Sequence, residues 1–208
     1  MKRALIIVNG EINDYDFHKN YIREDDFIIC ADGGIKHLNA IGKTPDVFVG
    51  DFDSSSPEQL IGDVEIQKHN PIKNDTDTKL AIDIAFEKGY GNIEILGGLG
   101  GRVDHLLANV FLLKYIHENG GVGKIVDEKN IVMLLTDTIT LNKENNSFVS
   151  LVPLTPTVEG ITNKGLIYPL NDFCIRFGST RGISNEFADD SAEISIKKGE
   201  ALVIISKE

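Results

Sequence analysis

The first 126 residues alternate between short apolar runs and helix-like patterns, and this alternation limits the folds open to the chain more than any other feature. Apolar runs at residues 4–8, 27–31, 47–49 and 93–96 are typical of buried strands. Amphipathic spacing predicts helices that end near 41 and that span 76–88 and 104–116. Such strand–helix repeats predict a mostly parallel, Rossmann-like sheet covered by helices.

After about residue 126 the pattern changes to short strands and turns, with no convincing helix. Strand candidates are 131–135, 138–141, 148–152, 173–177, 193–197 and 201–205, and several of them alternate between apolar and polar residues. We therefore predict two domains, an α/β domain over 1–126 and an all-β sandwich over 127–208.

The composition is that of a globular protein with an acidic surface. The chain has 208 residues, 41% of them hydrophobic, and a formal net charge of -11. A negative chain repels nucleic acid and anionic lipid, so we expect neither as a partner. No apolar run approaches a membrane span. The cysteines, Cys30 and Cys174, show no zinc spacing, and we expect both to be buried in a reducing, cytoplasmic compartment.

Three acidic residues follow predicted strand and helix boundaries. Asp51 and Asp53 come directly after the strand at 47–49 and point to the same side of an extended segment, while Asp77 opens the helix at 76–88. Converging carboxylates repel each other unless a cation lies between them, and Mg²⁺ suits such a site when phosphate oxygens complete its ligands. Asp77 is also a plausible helix cap, and Lys79 beside it would face a phosphate.

A glycine-rich loop links the strand at 93–96 to the helix at 104–116. Gly97, Gly98, Gly100 and Gly101 let main-chain amides approach a ligand, and the helix start favours phosphate. Arg102 can add a bidentate contact, and Asp104 can cap the helix or reach the metal. Asp32 and Gly33 form a similar strand-to-helix junction, which suits a nucleotide or an ordinary turn.

In their order along the chain, these segments resemble thiamine pyrophosphokinases. The matching segments are 31–34, 45–54, 75–79, 97–105 and the Ser184-Asn185-Glu186 triplet of the β region. Members of that family have an α/β domain and a C-terminal β-sandwich, act as homodimers, and transfer pyrophosphate from ATP to thiamine, yielding thiamine diphosphate and AMP.

The resemblance implies a role for each matching residue. Asp51, Asp53 and Asp77 would bind Mg²⁺, with Asp104 and Asp32 nearby. Lys79 and Arg102 would hold the phosphates of ATP, together with the glycines. Ser184 and Asn185 would contact thiamine, with the active sites at the dimer interface. The chain has no tryptophan to stack on the thiamine rings, and Phe187 is the substitute that the sequence suggests.

Two other functions fit part of the pattern. A phosphatase of the haloacid dehalogenase type also carries Asp-x-Asp after a strand, but it would leave the loop at 97–101 without a role. A non-catalytic nucleotide sensor would bind nucleotide, but simple binding rarely needs three converging carboxylates.

Overall fold

The computed structural model describes residues 2–50, 64–68 and 75–208. Contacts divide the chain into two compact units, Met1–Glu128 and Lys129–Glu208. The sequence placed the boundary after residue 126. None of the helices in the described ranges combines the length and the apolar character that a membrane crossing requires.

The first unit alternates strands and helices, as the sequence predicts. Its strands are β1 Arg3–Ile7, β2 Phe27–Ala31, β3 Val47–Gly50, β4 Glu65–Lys68, β5 Asn92–Leu96 and β6 Val122–Val126. Its helices are α1 Tyr15–Tyr21, α2 Ile35–Ile41, α3 Asp77–Glu87 and α4 Val103–Glu118, and a 3-10 turn at Asp32–Gly34 leads into α2.

The strands of the first unit lie in the order β6-β5-β1-β2-β3-β4, and the paired neighbours are parallel. The central strand β1 is buried along its whole length, which explains its continuous apolar run after Arg3. The chain moves outward from β1 in one direction through β2 to β4, and in the other through β5 to β6. The gap between β1 and β5 is therefore the point where the order reverses.

Local signals explain most helix ends, including one helix that the sequence analysis missed. Gly89 has φ +84° just beyond α3, and its amide bonds to the Phe86 carbonyl, so this glycine ends the helix. Helix α1 has a weak apolar pattern because its only fully buried side chain is His18. Its signal was Asp14, whose Oδ1 accepts the amide of Phe17 at 2.8 Å.

The second unit is all β in its regular structure. Within this unit four sheet strands are neighbours in the order β12-β9-β14-β7, and a separate four-stranded sheet has the order β11-β10-β13-β8, with antiparallel pairings. The strands are β7 Asn130–Leu135, β8 Thr138–Asn142, β9 Ser147–Pro153, β10 Thr157–Lys164, β11 Phe173–Arg176, β12 Asn185–Glu186, β13 Ser191–Ser195 and β14 Ala201–Lys207. A single cluster of buried apolar side chains includes members of both sheets.

Two expectations for the second unit were incomplete or wrong. The sequence analysis missed β10, where Gly160 adopts φ +71° and the register with β11 shifts, so the alternation is broken. Cys174 is exposed, contrary to expectation, because it lies on the opposite face of β11 from the buried Ile175. Cys30 is buried as expected.

Candidate active site

A cavity of about 580 Å³ opens at the carboxyl ends of β1, β2 and β5. In open parallel sheets, ligands bind where the strand order reverses, because the loops diverge there and leave a crevice. The residues that line the cavity come from the segments after these strands and from the starts of α2, α3 and α4. They are Val8, Asn9, Gly10, Glu11, Ala31, Asp32, Lys36, Thr76, Asp77, Thr78, Gly97, Gly100, Gly101, Arg102, His105 and Asn109.

Glycines at this end of the sheet allow two loops to touch through their backbones. A β-carbon on Gly10 would lie 2.1 Å from the carbonyl oxygen of Gly97, and one on Gly100 would lie 2.5 Å from that of Glu11. Both distances are below any tolerable contact, so a side chain at either position would separate the loops. The glycine-rich loop therefore forms one wall of the cavity together with the segment after β1.

Asp32 is held in an unfavourable conformation on the cavity wall. Its φ is +42°, a region that non-glycine residues seldom occupy. Its Oδ1 is buried and accepts no hydrogen bond within the part of the chain that the structure describes. A buried acceptor without a donor is destabilising, and strained residues are commonly retained at functional sites. This carboxylate oxygen fits a bound cation or a ligand donor.

Asp77 lines the same cavity at the start of α3. Thr76 caps this helix by accepting the amide of Lys79 at 3.3 Å, so Asp77 is not the N-cap. Asp51 and Asp53 lie outside the described residues. Within the described ranges, no group of three or more acidic, histidine or cysteine side chains could hold a metal ion. The magnesium set Asp51, Asp53 and Asp77 remains a prediction, and Asp32, which was expected nearby, lines the same cavity as Asp77.

The structure places Lys79 beside helix α4 and not among the residues that line the cavity. Its Nζ lies 2.7 Å from Asp83 Oδ2 and 3.5 Å from Asp75 Oδ2. The Tyr115 hydroxyl donates to the other oxygen of Asp83 at 2.6 Å. The hydrogen bond to Asp83 raises the pKa of Lys79 and keeps it charged. These contacts join α3 to α4 and leave the predicted phosphate contact untested.

Arg102 lines the cavity, but it is paired with Asp104. Arg102 Nη2 lies 2.5 Å from Asp104 Oδ2, and Nε lies 3.1 Å from Oδ1. The bond to Arg102 lowers the pKa of Asp104 to about 2, and both side chains are exposed. Exposed ion pairs contribute little to stability, so a bound phosphate can replace Asp104 at low cost. Asp104 itself is not among the cavity-lining residues.

Two predicted glycines serve packing near the cavity. A β-carbon on Gly33 would lie 2.5 Å from the side chain of Asn9, and one on Gly98 would meet Ile125 at 2.9 Å. The carbonyl of Gly98 accepts the side-chain amide of Asn109 at 3.1 Å, within the buried region. Gly33 and Gly98 therefore support the wall, whereas Gly100 and Gly101 line it.

The sequence analysis missed the other side of the cavity. Asn9, Gly10 and Glu11 follow β1 directly, the same strand-end position that singled out Asp32, and their position was the available signal. Lys36 is the second residue of α2, the helix into which the turn at Asp32–Gly34 leads. Its Nζ bonds to the Asn9 carbonyl at 3.2 Å, and among the described residues no carboxylate lies within ion-pair distance.

Ser184 and Asn185 line a separate cavity of about 390 Å³ in the second unit. Ser184 has φ +59° and donates its amide to Ser150 Oγ at 3.0 Å. The Asn185 side chain bonds to both the amide and the carbonyl of Tyr168, at 2.9 and 2.7 Å. Tyr168 is 62% exposed at this cavity.

Phe187 does not line the cavity that Ser184 and Asn185 share. Its stacking on thiamine stays a prediction, which the structure supports only if thiamine binds elsewhere than in this cavity. Phe187 is only 7% exposed and belongs to the buried cluster of the second unit. Tyr168 is the aromatic side chain that the structure places at this cavity, and its sequence neighbourhood carried no signal for that position.

Comparison with known proteins decides the family. The family model described as "Thiamin pyrophosphokinase, catalytic domain" matches residues 18–122, and the model described as "Thiamin pyrophosphokinase, vitamin B1 binding domain" matches residues 136–200. The chain belongs to the thiamin pyrophosphokinase family. It is thus related to enzymes, and neither the phosphatase nor the sensor alternative is supported.

Individual members of the thiamin pyrophosphokinase family match over nearly the whole chain. The thiamine pyrophosphokinase of Bacillus subtilis (strain 168) is 33% identical, and the match covers 99% of both chains. A crystal structure of thiamine pyrophosphokinase from Bacillus subtilis superposes with a TM-score of 0.89 at 29% identity, covering 100% of both chains. The Geobacillus thermodenitrificans structure gives 0.86 at 32% identity, covering 99% of this chain and 98% of the other.

Proposed function

We propose that this chain transfers pyrophosphate from ATP to the hydroxyl of thiamine, producing thiamine diphosphate and AMP. The observation that supports this most directly is the cavity at the reversal point of the parallel sheet, in a member of the thiamin pyrophosphokinase family. We assign residues 1–126 to ATP binding and catalysis, in a Rossmann-like domain. We assign residues 127–208 to thiamine binding, in a β-sandwich whose two sheets share one buried cluster.

The cavity residues can position the triphosphate of ATP without covalent catalysis. Arg102 offers a guanidinium that can exchange its exposed partner Asp104 for a phosphate. The backbone at Gly100 and Gly101 lets phosphate oxygens approach main-chain amides. Phosphoryl-type transfer depends mainly on such positioning and on charge neutralisation.

We propose that Asp51, Asp53 and Asp77 hold Mg²⁺, with Asp32 beside them. The orphaned, buried oxygen of Asp32 supports this, because it needs a cation or donor that the described residues do not supply. Mg²⁺ bound there would neutralise charge on the phosphates of ATP. In this proposal Asp104 and Lys79 act near the phosphates, and an aspartate accepts the proton of the attacking hydroxyl.

Thiamine would occupy the cavity that Ser184 and Asn185 line in the second unit. Asn185 holds the backbone of Tyr168 from both sides, so the exposed Tyr168 ring is fixed at the rim. A fixed aromatic ring suits a flat heterocyclic ligand. We further propose that the chain works in the cytoplasm as a homodimer with its active sites at the interface. Light scattering of the purified protein tests the homodimer.

The decisive experiment separates AMP from ADP among the products. Purified protein with ATP, Mg²⁺ and thiamine should yield AMP and thiamine diphosphate in equal amounts. Formation of ADP, or phosphate release from a generic aryl phosphate without ATP, would contradict the proposal. Asp51→Asn should abolish turnover while circular dichroism shows an intact fold, and full activity in that variant would remove the metal role of Asp51.

A further inference from the structure

Two consecutive residues of α2 bind the segment Val8–Glu11, which we call the β1 loop. His37 Nε2 lies 2.7 Å from the carbonyl oxygen of Gly10, and Lys36 Nζ lies 3.2 Å from that of Asn9. All four residues of the β1 loop line the proposed nucleotide cavity. Helix α2 therefore holds this wall of the cavity through backbone carbonyls of the β1 loop, on the side away from the glycine-rich loop.

The contacts of His37 determine which ring nitrogen carries the proton. A carbonyl oxygen only accepts hydrogen bonds, so Nε2 must donate to Gly10. In the neutral ring Nδ1 then accepts, and the Tyr15 hydroxyl lies 2.8 Å from it. The side chain is 3% exposed, and burial lowers the pKa of His37 to about 4, so the ring is neutral near pH 7. The Gly10 carbonyl thus requires the tautomer with the proton on Nε2, and the Tyr15 hydroxyl completes the arrangement by donating to Nδ1.

The opposite face of the β1 loop is fixed by close packing. Gly10 lies against the backbone of Gly97, and Glu11 lies against that of Gly100. The Val8 amide also bonds to the Leu96 carbonyl at 3.0 Å. The loop has backbone contacts on one side and His37 on the other, so its distance from the nucleotide depends on both.

We propose that His37 is a positioning residue for nucleotide binding, because it fixes the Gly10 carbonyl and with it the wall that the β1 loop presents to ATP. The proposal rests on the assignment of this cavity to ATP. Its action is indirect, since His37 is absent from the residues that line the cavity. The His37 ring is already satisfied by Tyr15 and Gly10, so it is not available to act on the substrate itself.

A matched pair of substitutions tests the proposal. His37→Gln can place an amide N–H near the position of Nε2 and keep the bond to Gly10. His37→Asn reaches only the Nδ1 position and loses that bond. We expect His37→Asn to raise the KM for ATP, and the Kd of a non-hydrolysable ATP analogue, about fivefold, as for one lost hydrogen bond. The kcat and the KM for thiamine should stay within about twofold, and His37→Gln should recover most of the loss.

A second variant covers the case in which His37→Asn does not fold. Tyr15→Phe removes the donor to Nδ1, so it should shift the Nδ1 signal in nitrogen-15 imidazole NMR and raise the KM for ATP about twofold. As a control, Tyr90→Phe removes a hydroxyl from a ring that stacks on Phe27. It should change neither the NMR signal of His37 nor the KM for ATP.

Each outcome bears on a different part of the proposal. If the unchanged protein binds the ATP analogue but His37→Asn binds it equally well, the positioning role is wrong. A wild-type NMR spectrum with the proton on Nδ1 would also contradict it. If the unchanged protein binds no ATP analogue by calorimetry, the assignment of the cavity to ATP fails, and the role of His37 fails with it.

Discussion

The two ends of the parallel sheet in the first unit treat their charged residues differently. Near the amino end, Arg3 bonds to both Asp26 and Glu94 while remaining 3% exposed. Glu94 also accepts the Tyr21 hydroxyl at 2.6 Å and lies 3.0 Å from Lys124 Nζ. These buried charges are matched by partners within the protein.

At the carboxyl end the charges are incompletely matched. Asp32 has a buried oxygen with no hydrogen bond among the described residues, and its backbone is strained. Within the described ranges, Lys36 reaches only a carbonyl oxygen, and Arg102 has only an exposed partner. A structure selected for stability alone would supply a donor to the buried oxygen of Asp32, whereas water solvates the exposed Lys36 and Arg102. The contrast indicates that the amino end stabilises the sheet and that the carboxyl end is arranged for a ligand.

Arg3→Met tests the amino end and should have the largest effect on stability. It leaves the buried carboxylates of Asp26 and Glu94 without their main cation, which should lower the free energy of unfolding by about 3–5 kcal/mol. Urea denaturation at pH 7 measures this, and the kcat/KM of the folded protein should change less than about twofold. The control is Lys164→Met, because Lys164 lies 3.9 Å from Glu193 in an exposed pair and should contribute less than about 1 kcal/mol. A loss below about 1 kcal/mol in Arg3→Met would remove the contrast.

Asp32→Asn tests the carboxyl end and should have the opposite profile. Loss of the charge should reduce kcat/KM by about 10²–10³-fold, as for removal of a group that stabilises transition-state charge. The free energy of unfolding should change by less than about 1 kcal/mol, since asparagine tolerates a positive φ and carries no orphaned charge. Steady-state assays and urea denaturation give both values, with the exposed Asp16→Asn as control. Full activity in Asp32→Asn would contradict a functional role for this residue.

His37, near the carboxyl end of the sheet, makes the free energy of unfolding depend on pH in acid. Its pKa is about 4 in the folded protein, below its ordinary 6.5, so the unfolded chain binds a proton more readily. The contribution of neutral His37 to the free energy of unfolding is complete above pH 6.5. Up to about 3 kcal/mol of it is lost as the pH falls towards 4. Urea denaturation between pH 7 and 4 measures the slope. The His37→Gln variant should lack this part of the slope, and identical slopes in the two proteins would show that His37 does not titrate as described.

The smallest expected effect, on the KM for ATP, distinguishes Lys36 from Lys79 as the lysine that contacts the phosphates. Lys36→Met should raise the KM for ATP about fivefold, because Lys36 lines the cavity and has no carboxylate partner among the described residues. Lys79→Met should instead loosen the contacts between α3 and α4. Initial rates at varied ATP compare both with Lys19→Met, an exposed change on α1. A larger KM increase in Lys79→Met than in Lys36→Met would support Lys79, which the sequence predicted to contact a phosphate.

Much of the site was readable from the sequence, because strand-end positions carry their own signals. Asp32, Gly100, Gly101 and Arg102 were found in this way, and all four line the cavity. The β1 loop occupied an equivalent position, but it lacked a run of glycines or acids and was passed over. The burial of Phe187 was not predicted, because the short β12 and the core beneath it have no distinct pattern in the sequence.

Local sequence patterns were enough for the alternation of strands and helices and for the residues at each strand end, because these depend on neighbours a few positions apart. Only the tertiary structure decided that β1 lies between β2 and β5, which brings the loops after all three strands together. It also decided that Lys79 binds Asp83 and that His37 binds Gly10. These contacts depend on strand order and helix packing, and no local pattern encodes either one.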